Sequence, residues 1–267
     1  MRKSNIFVIA YICITLFTCF SAPSSQAASD TILLTATGPS SRAYVLSSGE
    51  VLDWNYHDTV TSSRYPIPEL VNGTASPVKL YVGYGRDILL LSNGQLYYWQ
   101  NIELQTTVAP LAHPDGKDIT TPTPINYLFD NEPVQDAILQ DDSYYVLTES
   151  GRFFVWGEAG QYNLGTGSKT DVLSPTDITS KFGNKPLAAI GPRLAATAAG
   201  RMYAWGYDTK SDQRYEGPVQ LTGASGVDCI YSALGTYLVS NKSGQFYTWG
   251  QMFCGAASSA PNRSILL

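Results

Sequence analysis

Gly151-Arg152-Phe153-Phe154-Val155-Trp156 decides the fold, because its spacing, Gly-x-x-x-x-Trp, recurs along the chain. The other copies run from Gly49 to Trp54 (GEVLDW), Gly94 to Trp99 (GQLYYW), Gly200 to Trp205 (GRMYAW) and Gly244 to Trp249 (GQFYTW). All five tryptophans fall in this frame, at steps of 45, 57, 49 and 44 residues, which marks an internal repeat. The residue before each Gly is Ser48, Asn93, Ser150, Ala199 or Ser243. A small or turn-forming residue followed by Gly is hairpin chemistry, since Gly takes a positive φ without steric cost. Apolar residues then stand at consecutive positions: Val51-Leu52, Leu96-Tyr97, Phe153-Phe154, Met202-Tyr203 and Phe246-Tyr247. Successive side chains of a strand point to opposite faces, so both faces of this strand are expected to be buried. A sheet stacked between two neighbouring sheets has that environment.

Two more apolar runs precede each turn. The nearer ones are Ala43 to Leu46, Ile88 to Leu91, Tyr144 to Leu147, Leu194 to Thr197 and Tyr237 to Val239. The farther ones are Ile32 to Leu34, Val78 to Val82, Val134 to Leu139, Leu187 to Ile190 and Val227 to Tyr231. A polar loop follows each Trp, then a proline: Pro68, Pro124, Pro175, Pro218 and Pro261. Proline lacks a backbone donor and suits the start of an edge strand. Four strands at this period predict the blade of an all-β propeller, with about five four-stranded blades.

The third copy continues Trp156-Gly157-Glu158-Ala159-Gly160-Gln161-Tyr162-Asn163-Leu164-Gly165-Thr166-Gly167. It resembles the repeat of the RCC1 (regulator of chromosome condensation) family, Trp-Gly and then Gly-Gln-Leu-Gly-x-Gly, with two extra residues between Gln161 and Leu164. Trp205-Gly206 and Trp249-Gly250 keep the Trp-Gly pair, and Trp54-Asn55 and Trp99-Gln100 depart from it. The resemblance covers roughly residues 32 to 267 and implies a propeller, usually of seven blades. Five whole units are present here, which leaves a closed ring or an incomplete arc. A ring would be closed by pairing the last strand, Ile265 to Leu267, in one blade with the first, Ile32 to Thr35. Each repeat Trp is expected to be buried between blades, contributing a few kcal/mol at about 25 cal/mol per Å² of apolar area.

The N-terminal segment reads as separate from the fold. Arg2 and Lys3 precede an apolar run of 15 residues, Ile6 to Phe20, and Ser25-Gln26-Ala27 fits a signal-peptidase site. The run is short for a membrane span, which needs about 20 residues. Residues 1–27 are therefore expected to be a signal peptide and 28–267 the exported propeller, secreted, periplasmic or at the cell surface, with an uncleaved anchor as the alternative. Export makes an oxidising compartment, so Cys229 and Cys254 form a candidate disulfide or two unpaired thiols.

Composition limits the function classes. The chain of 267 residues is 44% hydrophobic and 15% charged, with a net charge of -5. No cluster of Lys and Arg is present to displace counterions from phosphate, which argues against nucleic-acid binding. His57 and His113, the only histidines, have no metal-ligand spacing, and no zinc, Walker or nucleophile-elbow motif occurs. Gly165 to Lys169 lacks the full phosphate-loop spacing. Asp130-x-Glu132 and Asp141-Asp142 are loop acids for which weak calcium binding is the alternative to solvation. No catalytic residue, cofactor or metal ligand is assigned.

Two function classes follow. The first is a non-catalytic propeller that binds a partner protein through its blade loops. The family resemblance supplies two precedents, nucleotide exchange on a small nuclear GTPase and exported bacterial inhibitors of β-lactamase; the signal segment favours the second, an exported enzyme as the partner. The alternative is an exported carbohydrate-binding or carbohydrate-active propeller, with acids such as Asp53, Asp141 or Glu158.

Overall fold

The structure is a computed structural model and describes residues 30–39, 41–55, 61–100, 118–140, 142–208, 213–221, 225–233, 236–250 and 265–266. Thr31–Leu267 forms one compact unit. It consists of five antiparallel sheets of four strands, each built from consecutive strands. Blade one is β1 (Ile32–Thr37), β2 (Ser41–Leu46), β3 (Glu50–Asn55) and β4 (Thr61–Pro66); blade two is β5 (Pro77–Val82), β6 (Arg86–Leu91), β7 (Leu96–Gln100) and β8 (Thr123–Pro124). Blade three is β9 (Val134–Gln140), β10 (Ser143–Thr148), β11 (Phe153–Gly157) and β12 (Val172–Asp177). Blade four is β13 (Leu187–Gly191), β14 (Leu194–Thr197), β15 (Met202–Asp208) and β16 (Gln213–Gln220). Blade five is β17 (Val227–Ala233), β18 (Thr236–Asn241), β19 (Phe246–Gly250) and β20 (Ile265–Leu266).

The repeat glycines do what the sequence asks of them. Gly49, Gly94, Gly151, Gly200 and Gly244 all have positive φ, between 75° and 84°. At Gly151 a second constraint applies: an added Cβ would lie 2.6 Å from the Pro186 Cβ, where the next blade begins. The Gly151 carbonyl accepts the Leu187 N–H at 3.0 Å, and Gly94 likewise accepts from Val134 at 2.8 Å. The hairpin turn thus also fastens one blade to the next. At the first joint the equivalent residue is Pro77, which has no N–H to give. There the Gly49 carbonyl accepts from Ile67 at 3.0 Å instead, just before the short helix α1 (Pro68–Val71).

This helix corrects one expectation. Pro68 does not open the fourth strand of blade one; it stands at the first turn of α1, where a missing N–H costs nothing. Pro124, Pro175 and Pro218 do lie in fourth strands, and Pro261 is outside the described residues.

In blades two to four both faces of the middle strands are buried, as consecutive apolar residues require. The blade-facing side chains sort by parity. Val51, Ala43 and Val45 face blade two and meet Leu89, Tyr97 and Trp99 in one core cluster. Leu96, Tyr98 and Ile88 face blade three and meet Val146, Phe154 and Trp156. Phe153, Val155 and Tyr145 face blade four and meet Ala195, Tyr203 and Trp205. Each Trp therefore faces the blade before it. Trp99, Trp156 and Trp205 are buried accordingly, while Trp54, which has no preceding blade to face, is 40% exposed. The expectation of a buried tryptophan is corrected at Trp54 for that reason; the side chain of Trp249 is outside the described set.

Blades pack in sequence order, β1 on β5, β5 on β9, β9 on β13 and β13 on β17. Among the described residues no comparable packing joins blade five to blade one. The expected closure is also overturned at the strand level: β20 pairs with β19 and β1 with β2, so the first and last strands stay in separate sheets. Among the described residues, the arrangement is the incomplete arc. Among the described residues no helix is long and apolar enough to cross a membrane.

Candidate recognition face

Antiparallel strands divide the connections between two ends of the blades. The Gly turns and the links to the next blade gather at one end, and the loops after each Trp strand gather at the other. The Gly end is short and tied down by the joint hydrogen bonds above. A cleft of about 270 Å³ opens there, lined by Asn93, Gln95, Asn126 and Tyr127 among others. Asn126 is committed to structure: its Nδ2 donates to the carbonyls of Gly94 (2.9 Å) and Glu132 (2.8 Å), and its Oδ1 accepts from the Leu96 N–H (2.8 Å).

The Gly end also explains the acids Asp130 and Glu132. Arg152 gathers them, with Nη1 at 2.7 Å from Asp130 and 2.9 Å from Glu132, and Nε at 2.9 Å from Asp177. Its guanidinium lies 4.7 Å from the centre of the Phe154 ring. Burial raises the Glu132 pKa, but hydrogen bonds from Ser150, Thr148 and Arg152 outweigh it and hold the carboxyl below its usual range. A cation already occupies the position where calcium was the alternative. Among the described residues no group of three or more His, Cys, Asp or Glu could hold a metal ion.

The Trp end carries the long connections. Residues 101–117 after Trp99 lie outside the described set. The loop after Trp156 is described and has a rigid inner half. Leu164 is fully buried, and the Asn163 carbonyl accepts the Trp205 Nε1–H at 2.6 Å and the Tyr145 hydroxyl at 3.0 Å. Gly165 has a φ of 67°, and an added Cβ would lie 3.0 Å from the Trp205 indole, so a side chain there would be strained. Asn163 to Gly165 is thus a structural clamp between blades three and four. The outer half presents Tyr162, at φ 59°, whose hydroxyl donates to Glu216 at 3.1 Å while Lys169 Nζ sits 5.1 Å from its ring centre. Arg214 covers the Tyr207 ring at 5.1 Å, and Tyr84 projects from the β5–β6 turn, 39% exposed. Tyr and Arg in such positions are the residue types that anchor protein interfaces.

The acids considered for an enzyme are not brought together. Asp53 is buried between blades one and two, where its Oδ2 accepts the Trp99 Nε1–H at 3.2 Å. Glu158 belongs to the blade-three loop, and Asp141 is outside the described residues. The structure adds a partner that the sequence did not show, Asp87, also buried and also hydrogen-bonded to Trp99. Burial pushes the Asp87 pKa well up, and the charge of Asp53 adds to it. Burial likewise raises Asp53, opposed by its bonds from Trp99 and the Trp54 backbone. Asp53 and Asp87 each retain a buried carboxyl oxygen with no hydrogen-bond partner among the described residues. They form a buried acidic pair inside the joint of blades one and two.

Cys229 lies on β17, half-buried, and Cys254 is outside the described residues.

Comparison with solved structures agrees with this geometry. Human WBSCR16 superposes with a TM-score of 0.65 and 14% identity, over 89% of this chain and 66% of that one. Prp20p from Saccharomyces cerevisiae, described with its binding to Gsp1p and histones, gives a TM-score of 0.60 and 21% identity, over 83% of this chain and 57% of that one. A second Prp20 structure is named as yeast RCC1 bound to Kap60. The fold is that of an RCC1-like β-propeller. In sequence, the human E3 ubiquitin-protein ligase HERC2 is 27% identical over 181 residues, which are 63% of this chain and 4% of that protein. The chain thus spans a small fraction of this curated relative and about two-thirds or less of the solved RCC1-like chains. No protein-family model matches the sequence.

Proposed function

We propose that this chain is an exported, non-catalytic binding protein that takes a partner protein on the Trp end of its blades. The observation that carries this reading is the asymmetry of the two ends. The Gly end is built of short turns spent on blade joints, whereas the Trp end combines long loops with Tyr and Arg side chains on a rigid base. The Asn163 clamp holds the inner half of one loop and leaves Tyr162, Lys169 and Glu216 facing outward. Solved RCC1-like propellers described with protein partners support the class of ligand. The apolar run Ile6 to Phe20 and the Ser25-Gln26-Ala27 site support export, and an exported enzyme is the kind of partner that compartment offers.

The test uses a purified partner recovered by chemical cross-linking to the exported chain. Tyr84→Ala and Tyr162→Ala should each weaken its binding about tenfold or more, the size of an aromatic interface anchor. Asn93→Ala, at the Gly end, should leave binding unchanged. Equal losses at both ends, or binding to a glycan array in place of a protein, would overturn the reading.

A further inference from the structure

The internal joints are variations on one design, so each shows what the others need. At the Trp end a joint brings together the residue before the Trp of one blade and the residue opposite the Trp of the next. Between blades two and three these are Tyr98 and Tyr144, between three and four Val155 and Arg193, and between four and five Ala204 and Tyr237. Only between blades one and two are both of them acids, Asp53 and Asp87. The indole does not call for a carboxylate either, since the Trp205 Nε1–H is satisfied by the neutral Asn163 carbonyl. Packing alone therefore gives no reason for two acids here.

Their unpaired oxygens share one joint with a third. Asp53 and Asp87 meet around the Trp99 indole N–H, which both accept. Asp53 is 7% and Asp87 4% exposed, and the Oδ1 of each is buried with no hydrogen-bond partner among the described residues. Ser41 Oγ is buried and unpartnered in the same way, at 2% exposure. Ser41 opposes Asn55 and Ala43 opposes Asp53 in the β2–β3 register, so Ser41, Ala43 and Asp53 share the face turned to blade two. The hydroxyl thus enters the joint beside the Asp53 carboxyl. The Val82 and Gly83 carbonyls border the same end, where a Cβ on Gly38 would lie 2.7 Å from the Gly83 oxygen.

Two carboxylates buried in one joint have to be neutralised. A proton on Asp87 removes one charge but turns Oδ1 into an O–H with no acceptor in reach, and leaves Asp53 Oδ1 and Ser41 Oγ unpartnered. A divalent cation neutralises both acids and gives all three oxygens a partner. Ligands that are all oxygen select a hard ion. Ligands drawn from two blades suit the larger, adaptable shell of calcium better than the strict octahedron of magnesium.

We propose that Asp53, Asp87 and Ser41 form a calcium site that ties blade one to blade two. The site is internal to a joint and does not rest on the partner-binding reading.

The test uses the full chain after treatment with chelator, with terbium as the probe. An ion held by Asp53 and Asp87 sits beside the Trp99 indole, which sensitises terbium emission. Excitation of tryptophan should give luminescence that saturates at a single ion per chain and is displaced by calcium but not by equal magnesium. Asp53→Asn combined with Asp87→Asn should abolish it, and Ser41→Ala should weaken binding about tenfold. Asp130→Asn, in the acidic turn that Arg152 holds, should leave it unchanged. Calcium at about a hundred times its Kd should raise the wild-type melting temperature by about 5 °C or more and leave that of Asp87→Asn where chelator left it. Asp87→Asn should melt above the wild type in chelator at neutral pH, so its lost response is not a loss of fold. Emission that survives the double substitution, or an equal calcium shift in Asp87→Asn, would mean an adventitious ion only and overturns the proposal. A wild type with neither emission nor a calcium shift overturns it too, and leaves the proton as the neutralising partner.

Discussion

Replacing Trp156 by alanine and, separately, Trp54 by alanine measures how much of the stability lies in the blade joints. The Trp156 ring stacks on Tyr144 at 4.6 Å between centres with 2° between planes, and lies 6.1 Å from Phe129. It is buried, and β10 and β11 hold its neighbours rigidly, so the site cannot collapse around the lost ring. Burying an aromatic side chain removes roughly 150–250 Å² from water. At about 25 cal/mol per Å² that is about 4–6 kcal/mol, and large aromatic truncations in cores cost about 3–5 kcal/mol. Trp156→Ala should therefore cost about 4 kcal/mol, which for a domain of this size lowers the melting temperature by roughly 8–16 °C. Trp54 occupies the same repeat position but has two-fifths of its surface in water and no blade against its outer face. Its truncation leaves no closed cavity and should cost about 2 kcal/mol. Chemical denaturation followed by circular dichroism reads both. If Trp54→Ala costs as much as Trp156→Ala, the reasoning from one-sided packing is wrong; if neither changes the midpoint, the joints do not carry the stability.

Three further outcomes are expected. N-terminal sequencing of the exported protein should begin near Ala28, and a mature chain starting at Met1 would refute cleavage. Cys229 and Cys254 should be protected from alkylation in the native exported protein without reductant, the bridge adding roughly 3 kcal/mol in the chain-entropy model; modification of both thiols would exclude it. Asp87 binds its proton more tightly in the folded state than in the unfolded, so the stability it contributes is complete below an unfolded pKa of about 4 and declines as pH rises toward its folded value. Asp87→Asn should match the wild type near pH 4 and exceed it at neutral pH; parallel stability curves for the two proteins would contradict this.

The repeat was legible because its physics is local. A Gly that must take positive φ, two apolar residues in succession and a Trp at fixed distance identify the hairpin wherever they stand, and all five hairpins form at the expected residues. What was not legible depended on neighbours distant in sequence. Trp54 carries the same local pattern as Trp99, but its burial is decided by whether a blade precedes it. Asp87 reads as an ordinary strand-entrance acid until the fold sets it beside Asp53, 34 positions away, around one indole. Arg152 follows the turn Gly with no local sign of its role, and only the approach of Asp130, Glu132 and Asp177 shows that it organises the turn. Pro68 obeyed the rule that proline lacks a donor, but two structures satisfy that rule, and the chain used the helix. The outward Tyr162, in a loop, and Arg214, on β16, had no signal of their own.

The joint hydrogen bond that Gly94, Gly151 and Gly200 accept from the next blade has an evolutionary consequence. Three of the four internal boundaries share this carbonyl acceptor, so a duplicated unit inserted at one of them meets the same kind of backbone partner on both sides. Blade number is then not written into any one interface. It is free to drift by gain or loss of whole repeats, and selection acts on the count only through what becomes of the two surfaces left at the ends.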